Sequence, residues 1–98
     1  MAIPLKKFAM QCEEVAIANG SITPESSPTA TLYDISRRWR NLCNASAFKS
    51  MTLKGWTEKE ECAAEVIIAS LIYLQRIGCS DVEKLVRDTL ARHGQQAL

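Results

Sequence analysis

Hydrophobic and polar positions alternate at helical spacing along most of this chain, and in one stretch the polar positions almost vanish. From Cys62 to Ile77 twelve of sixteen residues are apolar, with only Glu65, Ser70, Gln75 and Arg76 between them. A surface helix needs a single apolar stripe, so a helix this oily predicts cover on nearly every side. At 1.5 Å per residue it is roughly 24 Å long and falls short of the roughly 20 consecutive apolar residues that cross a bilayer. The cover is therefore expected to be protein. Thr57-x-x-Glu60 is a capping box, which starts this helix at Glu58, and Gly78 stops it.

Three further helices follow from the same pattern. Leu5, Phe8, Ala9, Cys12, Val15 and Ala16 recur at spacings of three and four, which predicts a buried stripe on a helix opened by Pro4 and closed at Asn19-Gly20. Leu32, Ile35, Trp39, Leu42 and Cys43 predict a second, opening near Pro28 or Thr31, with Thr31-x-x-Asp34 resembling a capping box and Trp39 in the core. Val82, Leu85, Val86, Leu90 and Ala91 predict a last one, capped by Ser80-x-x-Glu83 and closed at His93-Gly94. Between the first two helices, GSITPESSP (Gly20 to Pro28) carries the proline, serine and glycine content of a mobile loop. The connector FKSMTLKGW, from Phe48 to Trp56, precedes the oily helix.

Composition narrows the class. Ninety-eight residues at 47% hydrophobic and 23% charged fit one helical domain, residues 1–98, with a thin core. The net charge of +1 gives no global argument for nucleic acid or membrane. Locally, Arg37, Arg38, Arg40, Lys49 and Lys54 lie in a segment without acids, and Glu58, Glu60, Glu61 and Glu65 follow. The four cysteines (Cys12, Cys43, Cys62, Cys79) form no C-x-x-C pair, and His93 is the single histidine. A zinc site needs closely spaced ligands, so small buried hydrophobes are the expected role for three of the four cysteines. The N-terminus lacks the pattern of a signal peptide, and a cytoplasmic protein is expected.

Two clusters carry candidate chemistry. Arg37, Arg38 and Arg40 could grip phosphate oxygens in pairs or face a protein partner, against the alternative of a solvated basic face. One tryptophan on the apolar side is no stacking platform, so nucleic acid is not expected. Glu61 and Glu65, one helical turn apart, could hold a divalent cation through oxygen ligands, against plain exposure at a helix edge. His93 has no visible nucleophile to pair with, and no glycine-rich phosphate loop occurs.

The segment from Gly55 to Gly94, with its acidic capped start, A-E-V-I-I run, L-I-Y-L segment, glycine stop, D-V-E-K-L and terminal R-H-G, resembles the second half of an all-α nucleotide pyrophosphohydrolase of the MazG type. Many such proteins are small and phage-encoded, and the phosphoribosyl-ATP pyrophosphohydrolases are similar. The resemblance implies carboxylates of two helices holding Mg²⁺ against a nucleoside triphosphate, and an oligomer. Those enzymes use E-x-x-E on one helix and E-x-x-D on the next. Here Glu65 matches the last acid, Cys62 stands where a glutamate is expected, Glu61 is one step out of register, and the preceding helix has Arg37, Arg38 and Asn41 with only Asp34 acidic. The implied protein is a divergent or catalytically silent member.

The resulting expectation is an all-α domain of four helices, the second and third forming a central antiparallel hairpin, with the bundle completed by dimerisation. Two functions follow from it. One is binding or hydrolysis of a nucleoside triphosphate, with Mg²⁺ at Glu61 and Glu65 and phosphates at Arg37, Arg38 and Arg40. The other is a non-enzymatic phage or mobile-element protein that inhibits or regulates a host protein through its basic helix.

Overall fold

The computed structural model describes residues 3–97. The described residues form four helices: α1 (Leu5–Ala18), α2 (Pro28–Cys43), α3 (Glu58–Arg76) and α4 (Val82–Ala97). Among the described residues there is no strand, only an isolated antiparallel bridge between Lys49 and Thr57 in the α2–α3 connector. No helix among the described residues is long and apolar enough to cross a membrane.

Local chemistry sets most of the boundaries. Thr57 accepts the Glu60 N–H while the Glu60 side chain accepts the Thr57 N–H, so the capping box at α3 forms as expected. Gly20 and Gly78 take φ of 81° and 85° just past α1 and α3, a backbone region that L side chains resist. Two caps differ from expectation. α2 opens at Pro28, the first of its two expected starts, but the expected capping box at Thr31 does not form: Thr31 lies inside the helix, buried, its Oγ donating to the Pro28 carbonyl at 2.6 Å. At α4 the N-terminal N–H of Lys84 goes to Asp81 at 3.0 Å, while Glu83 accepts the Leu5 N–H from the start of α1. α4 also runs through Gly94 rather than stopping there.

The core sits at the C-terminal half of α3. Ala9, Cys12 and Ala16, at helical spacing on α1, meet Leu71 and Ile72 of α3 and Val82 of α4, with Leu5, Ile22, Leu74 and Cys79 around them. Three small residues on α1 let that helix approach closely. α2 packs most extensively on α3. Along that pair the Ser46 N–H donates to Glu58, Arg38 donates to Glu65, and Arg76 donates to the carbonyls of Pro24 and Ser26.

Cover on α3 is partial, which corrects the expectation of a helix wrapped on nearly every side. Ile67 is 59% exposed, and Ala64 and Ile68 are exposed beside it. α2 packs along α3, while the α3 residues that α1 and α4 bury in the core, Leu71 and Ile72, lie in its C-terminal half. Trp39 and Leu32 are likewise exposed rather than core. On α4 the expected buried stripe is docked only at Val82; Leu85, Val86 and Leu90 face water. Of the cysteines, Cys12 is buried, Cys62 and Cys79 are half-buried and Cys43 is exposed, all as free thiols.

Candidate functional site

The junction of α1, α2 and α3 gathers most of the residues singled out above. α2 places Asp34 and Arg38 one turn apart on the flank toward α3. Arg38 donates to Glu65 at 2.8 Å and lies 3.6 Å from Asp34, so one guanidinium spans carboxylates of two helices. Arg37 donates to Asp34 from the solvent side. Arg40 is exposed and has no ion pair among the described residues. Asp34, Arg38, Ile72, Ala16 and Ser21 wall two grooves that run together, of about 390 and 210 Å³. The larger is closed by Ile22 and Ser26 of the loop and Thr31 of α2; the smaller reaches Glu65 and Ile68.

Glu61 points away from this junction into the connector. Its carboxylate accepts Ser50 Oγ at 2.6 Å and Thr52 Oγ at 2.8 Å, and those bonds hold its carboxyl below the ordinary 4.5. Glu60 is lowered in the same direction by the Thr57 N–H and hydroxyl. Glu58 accepts the Ser46 N–H at 3.1 Å. The three acids of the first turn of α3 thus each serve local structure.

These donors decide how Glu61 and Glu65 fit a metal. Mg²⁺ requires a near-octahedral shell of oxygens. At Glu61 it would displace two hydroxyls, and at Glu65 a guanidinium that already supplies the positive charge. Among the described residues no group of three or more His, Cys, Asp or Glu side chains is placed to hold a metal ion. Nucleophilic chemistry has no support either. Burial pushes the Cys62 thiol up, aided by the negative charges of Glu65, Glu58 and Glu61, and burial does the same for Cys12. Both thiols stay protonated at neutral pH, and a protonated thiol is a poor nucleophile.

Sequence reasoning passed over Arg76. Its side chain is only 14% exposed, and it donates to the Ser26 carbonyl at 2.6 Å, the Pro24 carbonyl at 2.8 Å and Glu13 at 3.3 Å. It ties the proline-rich loop to the end of α3, so the loop that forms the groove's outer wall is anchored rather than free. An arginine inside an otherwise apolar run was the available signal. Ser50 and Thr52 were missed as well, because nothing local pairs them with Glu61.

No protein family, curated protein or solved structure matches this chain.

Proposed function

We propose that this chain is a non-enzymatic interaction protein, an inhibitor or regulator of phage or mobile-element type, that meets an acidic host protein in the cytoplasm along the outer edge of α2 and completes its own bundle with a second copy. α2 and α3 act as an antiparallel hairpin in this reading. The paired positions 46 with 58, 38 with 65 and 26 with 76 run in opposite order along the chain and support it.

The observation that carries the proposal is how the charges are used. The carboxylates a hydrolase would need are satisfied by internal donors, whereas the outward flank of α2 carries Tyr33, Arg37, Arg40 and Asn44, all exposed, at spacings of four, three and four. Tyrosine and arginine are enriched among residues that dominate protein interfaces. An acidic partner would complement this edge and be steered to it.

A second reading keeps the larger groove for a nucleoside triphosphate. Arg37 and Arg38 share its wall, and guanidinium groups grip phosphate oxygens in pairs. Mg²⁺ at Glu61 and Glu65 would belong to that reading and would have to displace the donors their oxygens already hold.

Incubation with mixed nucleoside triphosphates and Mg²⁺ separates the two. Neither pyrophosphate release nor a thermal shift is expected. Pyrophosphate would overturn the proposal in favour of the hydrolase. On the partner side, Arg37→Glu with Arg40→Glu should lose an acidic partner that the wild type holds. Arg38 is left intact in that variant, because a third carboxylate beside Asp34 and Glu65 would disturb the fold itself.

A further inference from the structure

Among the apolar surfaces of this chain that lack cover, two have matching forms. One is a helix stripe: Leu85, Val86 and Leu90 on α4, with Leu90 70% exposed. The other is a groove of about 240 Å³ between α1 and α3, lined by Phe8, Gln11, Cys12, Val15 and Ile68. Val15 is 60% exposed there, and the exposed Ile67 lies next to Ile68. α4 is anchored to the bundle at its first turn, through Val82 and the Glu83 bond to the Leu5 N–H, and every residue from Lys84 to Gln95 is exposed. Beyond that turn it projects as an amphipathic arm.

The area involved identifies the scale of the missing partner. The chain exposes 7430 Å², against roughly 5600 Å² for a folded monomer of its mass. Its radius of gyration is 14.9 Å, against about 12.6 Å for a compact chain of its length. The excess is about 1800 Å² per chain, or about 3600 Å² for two, which lies within the roughly 2000–5000 Å² that obligate dimers bury.

We infer that the α4 arm of one copy lies in the α1–α3 groove of a second copy, and reciprocally, so that the two exchange arms about a two-fold axis. An amphipathic helix seated in an apolar groove through residues one turn apart is a recurrent docking mode. Leu85, Val86 and Leu90 have the required spacing. Reciprocal exchange closes the assembly at two copies and uses the arm and the groove of each chain. This inference rests on the self-association proposed above and adds which surfaces meet.

Sedimentation of the full chain over a dilution series tests it, with Leu90→Glu and Val15→Glu as variants. Both positions are exposed in the single chain, so neither change disturbs its own fold, and far-UV circular dichroism checks that helix content holds. The wild type should sediment as a dimer. Each variant should dissociate at least about tenfold more readily, since each puts a charge at the centre of the contact. Mixing the two variants should restore part of the dimer, because one intact arm then finds one intact groove. A wild type that stays at 10.9 kDa removes both self-association and arm exchange. A dimer that Val15→Glu leaves unchanged, or a mixture that restores nothing, overturns arm exchange alone. Pyrophosphate release would overturn the interaction-protein reading without bearing on either result.

Discussion

The guanidinium of Arg38 on α2 donates to the carboxylate of Glu65 on α3 at 2.8 Å. Asp34 lies on its other side at 3.6 Å, so Arg38 screens two carboxylates that would otherwise repel across the helix pair. The side chains of Arg38 and Glu65 keep 31% and 34% of their surface in water, which limits the strength of the bond. A double-mutant cycle with Arg38→Ala and Glu65→Ala in urea should give a coupling of about 0.5–1 kcal/mol. Arg38→Glu should destabilise more than Arg38→Ala. Equal stability of those two variants would show that the guanidinium neutralises nothing.

The Glu61 clamp predicts a pH dependence with a definite sign. Hydrogen bonds from Ser50 and Thr52 lower its carboxyl below 4.5 in the folded chain. A depressed carboxyl stabilises the fold fully above the unfolded value and loses that contribution as pH falls through the folded one. Order in the connector should therefore persist at neutral pH and fade in acid below 4.5. Carboxyl NMR should follow Glu61 titrating below that value. Ser50→Ala with Thr52→Val should return it toward the ordinary range and speed amide exchange at Leu53, whose N–H donates to Ser50.

Helix caps give a test of register at two sites. Thr57→Ala removes the hydroxyl that accepts the Glu60 N–H while leaving the backbone N–H of residue 57 to donate to Glu60, and should cost about 0.5–2 kcal/mol. At α4 the structure assigns the cap to Asp81 through the Lys84 N–H. Asp81→Ala should cost about 1 kcal/mol while Ser80→Ala changes stability by a few tenths at most. Thermal melts of the three variants settle the order, and a larger loss for Ser80→Ala would put the cap one residue earlier.

The contrast between these caps marks what sequence makes legible. Thr57 and Glu60 find each other within one turn, so the pattern alone suffices. Ser80-x-x-Glu83 has the same form, but Glu83 is claimed by the Leu5 N–H from the far end of the chain, an interaction no local pattern contains. The helices themselves and the closing glycines Gly20 and Gly78 were readable for the same local reason. Burial was not. The stripe through Leu32 and Trp39 identifies the oily side of α2, yet Trp39 is 58% exposed because this chain supplies nothing to lay on it. Periodicity reports which face seeks cover and is silent on whether one copy provides it. At the candidate site, Arg37, Arg38 and Glu65 do come together, while Glu61 turns away, because Ser50 and Thr52 compete for it from a connector whose path depends on the Lys49–Thr57 bridge.

Arg76 is the most consequential single side chain by this reasoning. It links three segments: the Pro24 and Ser26 carbonyls, the Glu13 carboxylate of α1, and its own position at the end of α3. Its removal leaves two carbonyls short of a charged donor and Glu13, 24% exposed, without its cation. Arg76→Met keeps most of the apolar stem and should still cost about 2–4 kcal/mol. Arg76→Lys should recover only part of that, since an ammonium cannot reproduce the forked geometry that reaches carboxylate and carbonyls together. The loop from Gly20 to Ser27 should become sensitive to limited proteolysis in both variants, more so in Arg76→Met. If Arg76→Lys behaves like wild type in stability and cleavage, positive charge alone is what the site requires and the fork has no part in holding the loop.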